Sequence, residues 1–288
     1  MRSLLLPILW LPQLAFAAFP EDVVLSEMVD YGGVTVAPGS LSEDYKTLVM
    51  ELGTAVANQA INPAETVGAF GFDVGFVNTF AFINSRTEDG QPSPWERAHV
   101  DENPNTYLFA PGLQIRKGLP MSIELGARGS WVGNSRQGMF AGFGRWALVE
   151  GFKPAPDISV HAGYSAYLGN PELDLGVWDV GATLGGTWAF GSYPKINQAQ
   201  ISLFSDFSLL RMAAVHRLDD ATASRIGAAS YYSGPSTAPG NDSYEASITM
   251  PRVSAGLQVT NGNAHIRLVG GWVPSTIPTL NVGMGFTY

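Results

Sequence analysis

Four histidines, His99, His161, His216 and His265, are the side chains of this 288-residue chain best suited to moving a proton near neutrality. A serine activated by a neighbouring histidine would suit ester or lipid hydrolysis, but none of the four stands in a His-x-Ser arrangement. His216, close ahead of Asp219 and Asp220, is an acid–histidine grouping that could activate a water molecule. With no cysteine in the chain, thiolate nucleophiles and disulfides are excluded. No phosphate-cradling glycine loop, zinc spacing or calcium loop occurs. The sequence therefore assigns no catalytic residue, no cofactor and no metal site.

A second set of ionisable residues has a different context. Arg116, Glu124, Arg128, Arg145, His161, Asp179, Asp206, Arg252, His265 and Arg267 all fall in segments where bulky apolar residues alternate with small or polar ones. In Met121 to Trp131, Met121, Ile123, Leu125, Ala127 and Trp131 oppose Ser122, Glu124, Gly126, Arg128 and Ser130. In Trp178 to Phe190, Trp178, Val180, Leu184, Trp188 and Phe190 oppose Asp179, Gly181, Thr183, Gly185 and Thr187. Period two sends alternate residues to opposite faces of a strand. The ten ionisable residues lie on the small-polar face, so they are candidates for lining an interior. Two chemistries suit such a lining: a paired network filling a narrow lumen, or charges along a polar solute path.

The elements that must hold them are strands. Ten are expected, over 67–83, 106–117, 120–133, 138–150, 157–169, 175–190, 198–213, 244–260, 263–273 and 279–288. Each is near or above the roughly 9–11 residues that cross a bilayer with tilt. Connections alternate between short, turn-rich ones and long ones at Asn84–Asn105 and Ala214–Ser243. A further hairpin around Ile226–Tyr232 would raise the count to twelve. A soluble sandwich would also alternate, but its outer face would carry charge. Here charged residues are 14% of the chain, against roughly 25% in soluble domains. The bulky face therefore meets something other than water. The formal net charge of −9 argues against nucleic acid as a partner.

The chain start reads differently. Met1-Arg2, an apolar run from Leu4 to Leu11, and Ala15-Phe16-Ala17 form a secretory signal over 1–17. Residues 18–65 form a separate N-terminal segment, with a short strand within Asp22–Val36 and a helix over Leu41–Ala60. Tyr45, Leu48, Val49, Leu52 and Val56 recur there at helical spacing. This helix is expected either on the periplasmic rim or as a plug inside the lumen. Residues 66–288 form the barrel.

The last strand carries a resemblance. Leu280, Val282, Met284, Phe286 and Tyr288 oppose Asn281, Gly283, Gly285 and Thr287, and the chain ends on an aromatic residue. This resembles the C-terminal signal of bacterial outer-membrane barrels, with Phe286 and Tyr288 in the positions read by the barrel-assembly machinery. The resemblance implies an all-β, transmembrane, antiparallel up-and-down barrel in the Gram-negative cell outer membrane, with outer-membrane lipids and that machinery as partners. It implies short turns in the periplasm, long loops outside, and aromatic girdles at Tyr107, Trp131 and Trp272 and at Trp188, Phe190, Phe286 and Tyr288. Three functions stay open. One is a porin-like channel or transporter for small solutes or, given a lumen segment, hydrophobic cargo. Another is a closed structural or adhesive barrel. The third is an outer-membrane hydrolase, for which His216 with Asp219 and Asp220 is a faint match to proteases of the omptin type.

Overall fold

The computed structural model describes residue 19 and residues 21–31, 41–57, 62–85, 91–99, 104–151, 155–190, 199–226 and 245–288. Period-two patterning becomes ten strands: β1 (Phe72–Ala81), β2 (Leu108–Leu119), β3 (Ile123–Trp131), β4 (Gly138–Val149), β5 (Asp157–Leu168), β6 (Leu173–Phe190), β7 (Ala199–His216), β8 (Glu245–Asn261), β9 (Ala264–Trp272) and β10 (Pro278–Thr287). Each pairs antiparallel with its neighbour in sequence. β1 also pairs with β10, from Asp73 opposite Thr287 to Ala81 opposite Thr279, and this closes the sheet. Tyr288 and Phe72 then exchange backbone hydrogen bonds at 2.7 and 2.9 Å, extending the seam.

Twelve strands are not found among the described residues. Ile226 ends a short helix, α4 (Asp220–Ile226), rather than opening a hairpin, and 227–232 lie outside the described residues. The signal region 1–17 lies outside them too. The strand expected within Asp22–Val36 reduces to a single bridge from Val23 to His99, followed by the short helix α1 (Glu27–Asp30). The long first connection contains α3 (Pro94–Arg97), closed by a capping box between Ser93 and Glu96.

The outward face is apolar. Phe76, Leu113, Leu125, Val180, Phe207, Leu268 and Met284 are all exposed, while their strand neighbours Gln114, Glu124, Asp179, Asp206 and Arg267 are buried. The outward charges Lys117, Asp174 and Arg211 lie toward strand ends. Tyr107, Trp131 and Trp272 ring one end, and Trp188, Phe190, Phe286 and Tyr288 the other, all exposed. A closed sheet satisfies its backbone internally and leaves no full edge, so it can present such a face to lipid. The chain is an outer-membrane β-barrel of ten strands.

The barrel ends differ. The connections after β1 and β7 are long, so that rim is the long-loop end; β1 starts and β10 finishes at the short-turn end. The described parts of the N-terminal segment, 21–31, 41–57 and 62–71, make contacts at both ends. At the long-loop end, Val23 N–H donates to Gln137 Oε1 at 3.1 Å, and Ser26 donates to Glu172 through N–H at 2.9 Å and Oγ at 2.6 Å. The helix α2 (Ser42–Val56) packs against β1, β5, β6 and β7 inside the barrel. Near the short-turn end, Thr66 N–H donates to Glu150 at 2.9 Å and Val67 N–H to Glu124 at 3.1 Å.

The interior departs from a uniformly small-polar lining. Toward the long-loop end the inward residues Leu108, Val177, Leu210, Met212 and Met250 are apolar and form one buried cluster with Tyr45, Leu48, Val49, Leu52 and Val56 of α2. An apolar helix stripe buried against apolar wall gives the hydrophobic stabilisation that seats the segment. Gly53 makes the approach close: a Cβ there would lie 2.5 Å from Met212 Sδ. The polar lining is confined to the rest of the lumen.

Candidate functional site

The ten ionisable residues all lie in the barrel interior, each 7% exposed or less. The alternation of β2 and β3 brings Arg116 and Glu124 inward on adjacent strands. Arg116 Nη1 donates to both Glu124 oxygens at 3.3 and 3.2 Å, and its Nε to Asp73 at 3.1 Å. Arg267, on β9, reaches Asp73 across β10 at 3.1 Å. His265 stands 3.4 Å from the same carboxylate and also contacts Arg267. Thr287 Oγ1 donates to Asp73 at 2.8 Å. Asp73 thus gathers one cluster on the side formed by β1, β2, β3, β9 and β10.

A second cluster stands on β5–β8. Arg252 Nη2 donates to Asp179 Oδ2 at 2.6 Å, and both side chains are fully buried. His161 lies between two carboxylates, with Nε2 3.4 Å from Asp179 and Nδ1 3.5 Å from Asp206. Thr183 Oγ1 donates to Asp206 at 3.0 Å. Arg128 and Arg145, on β3 and β4, join neither cluster through a carboxylate. Arg128 donates to Thr79 Oγ1 and to Ser130 Oγ; Arg145 donates to the carbonyls of Pro63 and Asn62.

Residues that sequence reasoning passed over complete the site. Asn62 Oδ1 accepts from Gln114 at 3.2 Å and from Arg267. Together with the Thr66 and Val67 contacts, this ties the exit of the N-terminal segment to the polar wall. Asn62-Pro63 was legible only as a helix stop. The inward hydroxyls of Ser159, Ser165, Ser208 and Ser254 are buried and lack a hydrogen-bond partner among the described residues. Their signal was the small-residue alternation itself. The wall between the clusters is low-relief, with Gly163, Gly181, Gly271 and Gly283 facing inward. Where Val56 and Ala57 meet Arg128, Ser130, Met139 and Ala141, the remaining void is about 10 Å³, at the limit for one water.

Of the loop grouping of His216, Asp219 and Asp220, the described side chains are those of His216 and Asp219. His216 is buried at the end of β7, whereas Asp219 is turned to the start of α4. Its carboxylate accepts from the N–H groups of Ala221 and Thr222 at 3.1 Å and from Thr222 Oγ1 at 2.8 Å. Those bonds hold Asp219 below its ordinary pKa, as suits a helix cap. Neither His161 nor His265 is hydrogen-bonded to a serine. Phe286 and Tyr288 stand exposed at the short-turn end.

No protein-family model matches the chain, and no curated protein does. Among solved structures it is similar to Ail, the attachment invasion locus protein of Yersinia pestis, in complex with the heparin analogue sucrose octasulfate: identity 13%, TM-score 0.27, covering 76% of this chain and 97% of that one. It is similar to the KdgM porin in complex with disordered oligogalacturonate: 7%, 0.32, 75% and 99%. It is also similar to the toluene transporter TbuX of Ralstonia pickettii: 10%, 0.24, 93% and 98%. Values this low leave what the barrel does to its own geometry.

Proposed function

We propose that the protein is a gated outer-membrane transporter for small solutes, with the N-terminal segment as the gate. The observation behind this is the division of the lumen. A structural barrel is filled by its own wall, as small barrels commonly are. Here the wall is small and polar over much of its height, and a separate segment fills the space. That segment is seated by one apolar helix face and held below by a few hydrogen bonds, accepted by Asn62 and Pro63 and donated by Thr66 and Val67. Such contacts can break without opening the β1–β10 seam. Removing the segment would uncover a corridor between the two charged clusters, lined by serine hydroxyls. In this reading the ten inward ionisable residues line the solute path.

Planar-bilayer recording of the refolded chain tests this against Gly53→Leu. A leucine there overlaps Met212 and should unseat α2. The wild type should show rare, brief openings, and Gly53→Leu an open probability higher by tenfold or more. Both should keep the folded-form shift on a heat-modifiability gel. If Gly53→Leu folds and neither chain conducts at any voltage, the lumen is not a path and the closed, adhesive reading replaces this one.

A further inference from the structure

The five inward arginines divide into two kinds. Arg116, Arg252 and Arg267 each have a carboxylate oxygen at 3.1 Å or nearer. Arg128 and Arg145 have none within ion-pair distance among the described residues. Their partners are neutral. Arg128 Nε donates to Ser130 Oγ at 3.0 Å and its Nη2 to Thr79. Arg145 donates to Pro63 O and, at 3.5 Å, to Asn62 O, and its Nε has no partner. Glu124 sits directly opposite Arg145 in the β3–β4 register, but its oxygens are taken by Arg116 and by Val67 N–H. Both guanidiniums are buried, at 7% and 4% exposure.

A buried cation with no carboxylate in ion-pair contact is a costly arrangement, and carbonyl oxygens, with the more distant Glu124 and Asp206 in the case of Arg145, compensate it only in part. A guanidinium presents a planar fork that matches a carboxylate with two parallel hydrogen bonds. Arg128 borders the void beside Val56 and Ala57, and Arg145 donates to the carbonyls of Asn62 and Pro63, so both guanidiniums stand beside described parts of the gate segment. The neighbouring acids are engaged elsewhere: Glu124 on β3 by Arg116, Asp179 on β6 by Arg252, and Asp206 on β7 by Thr183. An anion crossing the lumen would meet, on β3 and β4, two guanidiniums with no carboxylate in ion-pair contact among the described residues.

We propose that Arg128 and Arg145, four residues apart along the β3–β4 register, are two successive binding positions for small carboxylates, and that the carbonyls of Asn62 and Pro63 occupy the Arg145 position as stand-ins while the gate is shut. This rests on the gated-transporter reading. The void of about 10 Å³ beside Arg128 is too small for a carboxylate. The solute and the gate segment therefore compete for the same guanidiniums. A carboxylate that binds only the opened form raises the open population by the factor one plus its concentration over its dissociation constant.

The chain has no cysteine, so Ala57→Cys provides a single thiol. Ala57 is buried while the gate is seated. A maleimide should label it only when the segment moves. Succinate at ten times its dissociation constant should raise the labelling rate about tenfold. Succinamide at the same concentration should leave it unchanged, with sodium chloride matching the ionic strength. Added to Ala57→Cys, Arg128→Gln with Arg145→Gln should abolish the rise; Arg145→Lys, keeping charge without the fork, should reduce it. The folded-form gel shift verifies each chain. Labelling that proceeds but ignores succinate overturns the carboxylate site and leaves the gate standing. A rise that persists without the two arginines also overturns the site. No labelling of the folded chain under any condition overturns the gate, and the site with it.

Discussion

Arg252 and Asp179 meet at 2.6 Å with neither side chain reaching solvent, and Asp179 also faces His161. Removing one member of such a pair leaves a charge that cannot be rehydrated, a loss of about 3–5 kcal/mol. Arg252→Leu should therefore lower the unfolding free energy in detergent by about that amount, followed by tryptophan fluorescence in urea. Arg252→Leu with Asp179→Leu removes both charges and should recover most of the loss. A single-variant loss under about 1 kcal/mol would mean that water reaches the pair and that it does not brace the wall. At this scale the sequence was half legible. Period two picked out both residues as inward, because charge on a lipid face is costly. It could not pair them. Arg252 lies opposite Ser208 and Asp179 opposite Leu210, so their meeting depends on two successive registers across β7.

α2 was legible as a helix and its destination was not. Tyr45, Leu48, Val49, Leu52 and Val56 announced an apolar stripe, yet nothing local says what an apolar stripe will cover. The answer lies in β6 and β7, where the apolar set changes face. Leu173, Leu175 and Val177 point inward, and from Trp178 onward the large apolar residues point outward. Leu210 and Met212 point inward while Leu203, Phe207 and Leu209 point outward. An inward apolar patch needs an apolar occupant. Glu51 adds a chemical condition to the seat. Burial pushes its carboxyl above the ordinary value of 4.5, against the hydrogen bonds from Trp95 Nε1 at 2.5 Å and Asn84 N–H at 3.2 Å. A raised pKa in the seated state means that the protonated form is favoured there. The contribution of Glu51 to seating is complete below about 4.5 and is lost as pH rises through the raised value. Glu21 and Asp44, also raised by burial, act in the same direction. Open probability should thus increase from pH 4.5 to pH 7.5, and Glu51→Gln, which keeps an acceptor and loses the proton equilibrium, should flatten that rise. An unaltered slope in Glu51→Gln would remove Glu51 from the gate.

Across the whole molecule, sparse charge and an apolar outer face pointed to lipid from the sequence alone, because 14% charged residues cannot cover a water-facing surface of this size. The path of the N-terminal segment was not legible, since it is fixed by contacts between residues more than a hundred positions apart, such as Val23 with Gln137 and Ser26 with Glu172. That path predicts orientation. Barrels of this kind place short turns in the periplasm and longer loops outside. The long-loop end, and with it residues 21–31, should then face the medium, although β1 begins at the opposite rim. Two single-cysteine chains separate the sides: Glu27→Cys, exposed beside the long loops, and Met121→Cys, 79% exposed in the β2–β3 turn. In intact cells a membrane-impermeant maleimide should label Glu27→Cys and spare Met121→Cys; after the outer membrane is permeabilised it should label both. The reverse pattern would invert the barrel and put the gate entrance in the periplasm. Labelling of both in intact cells would mean that the apolar face is not sealed in a bilayer at all.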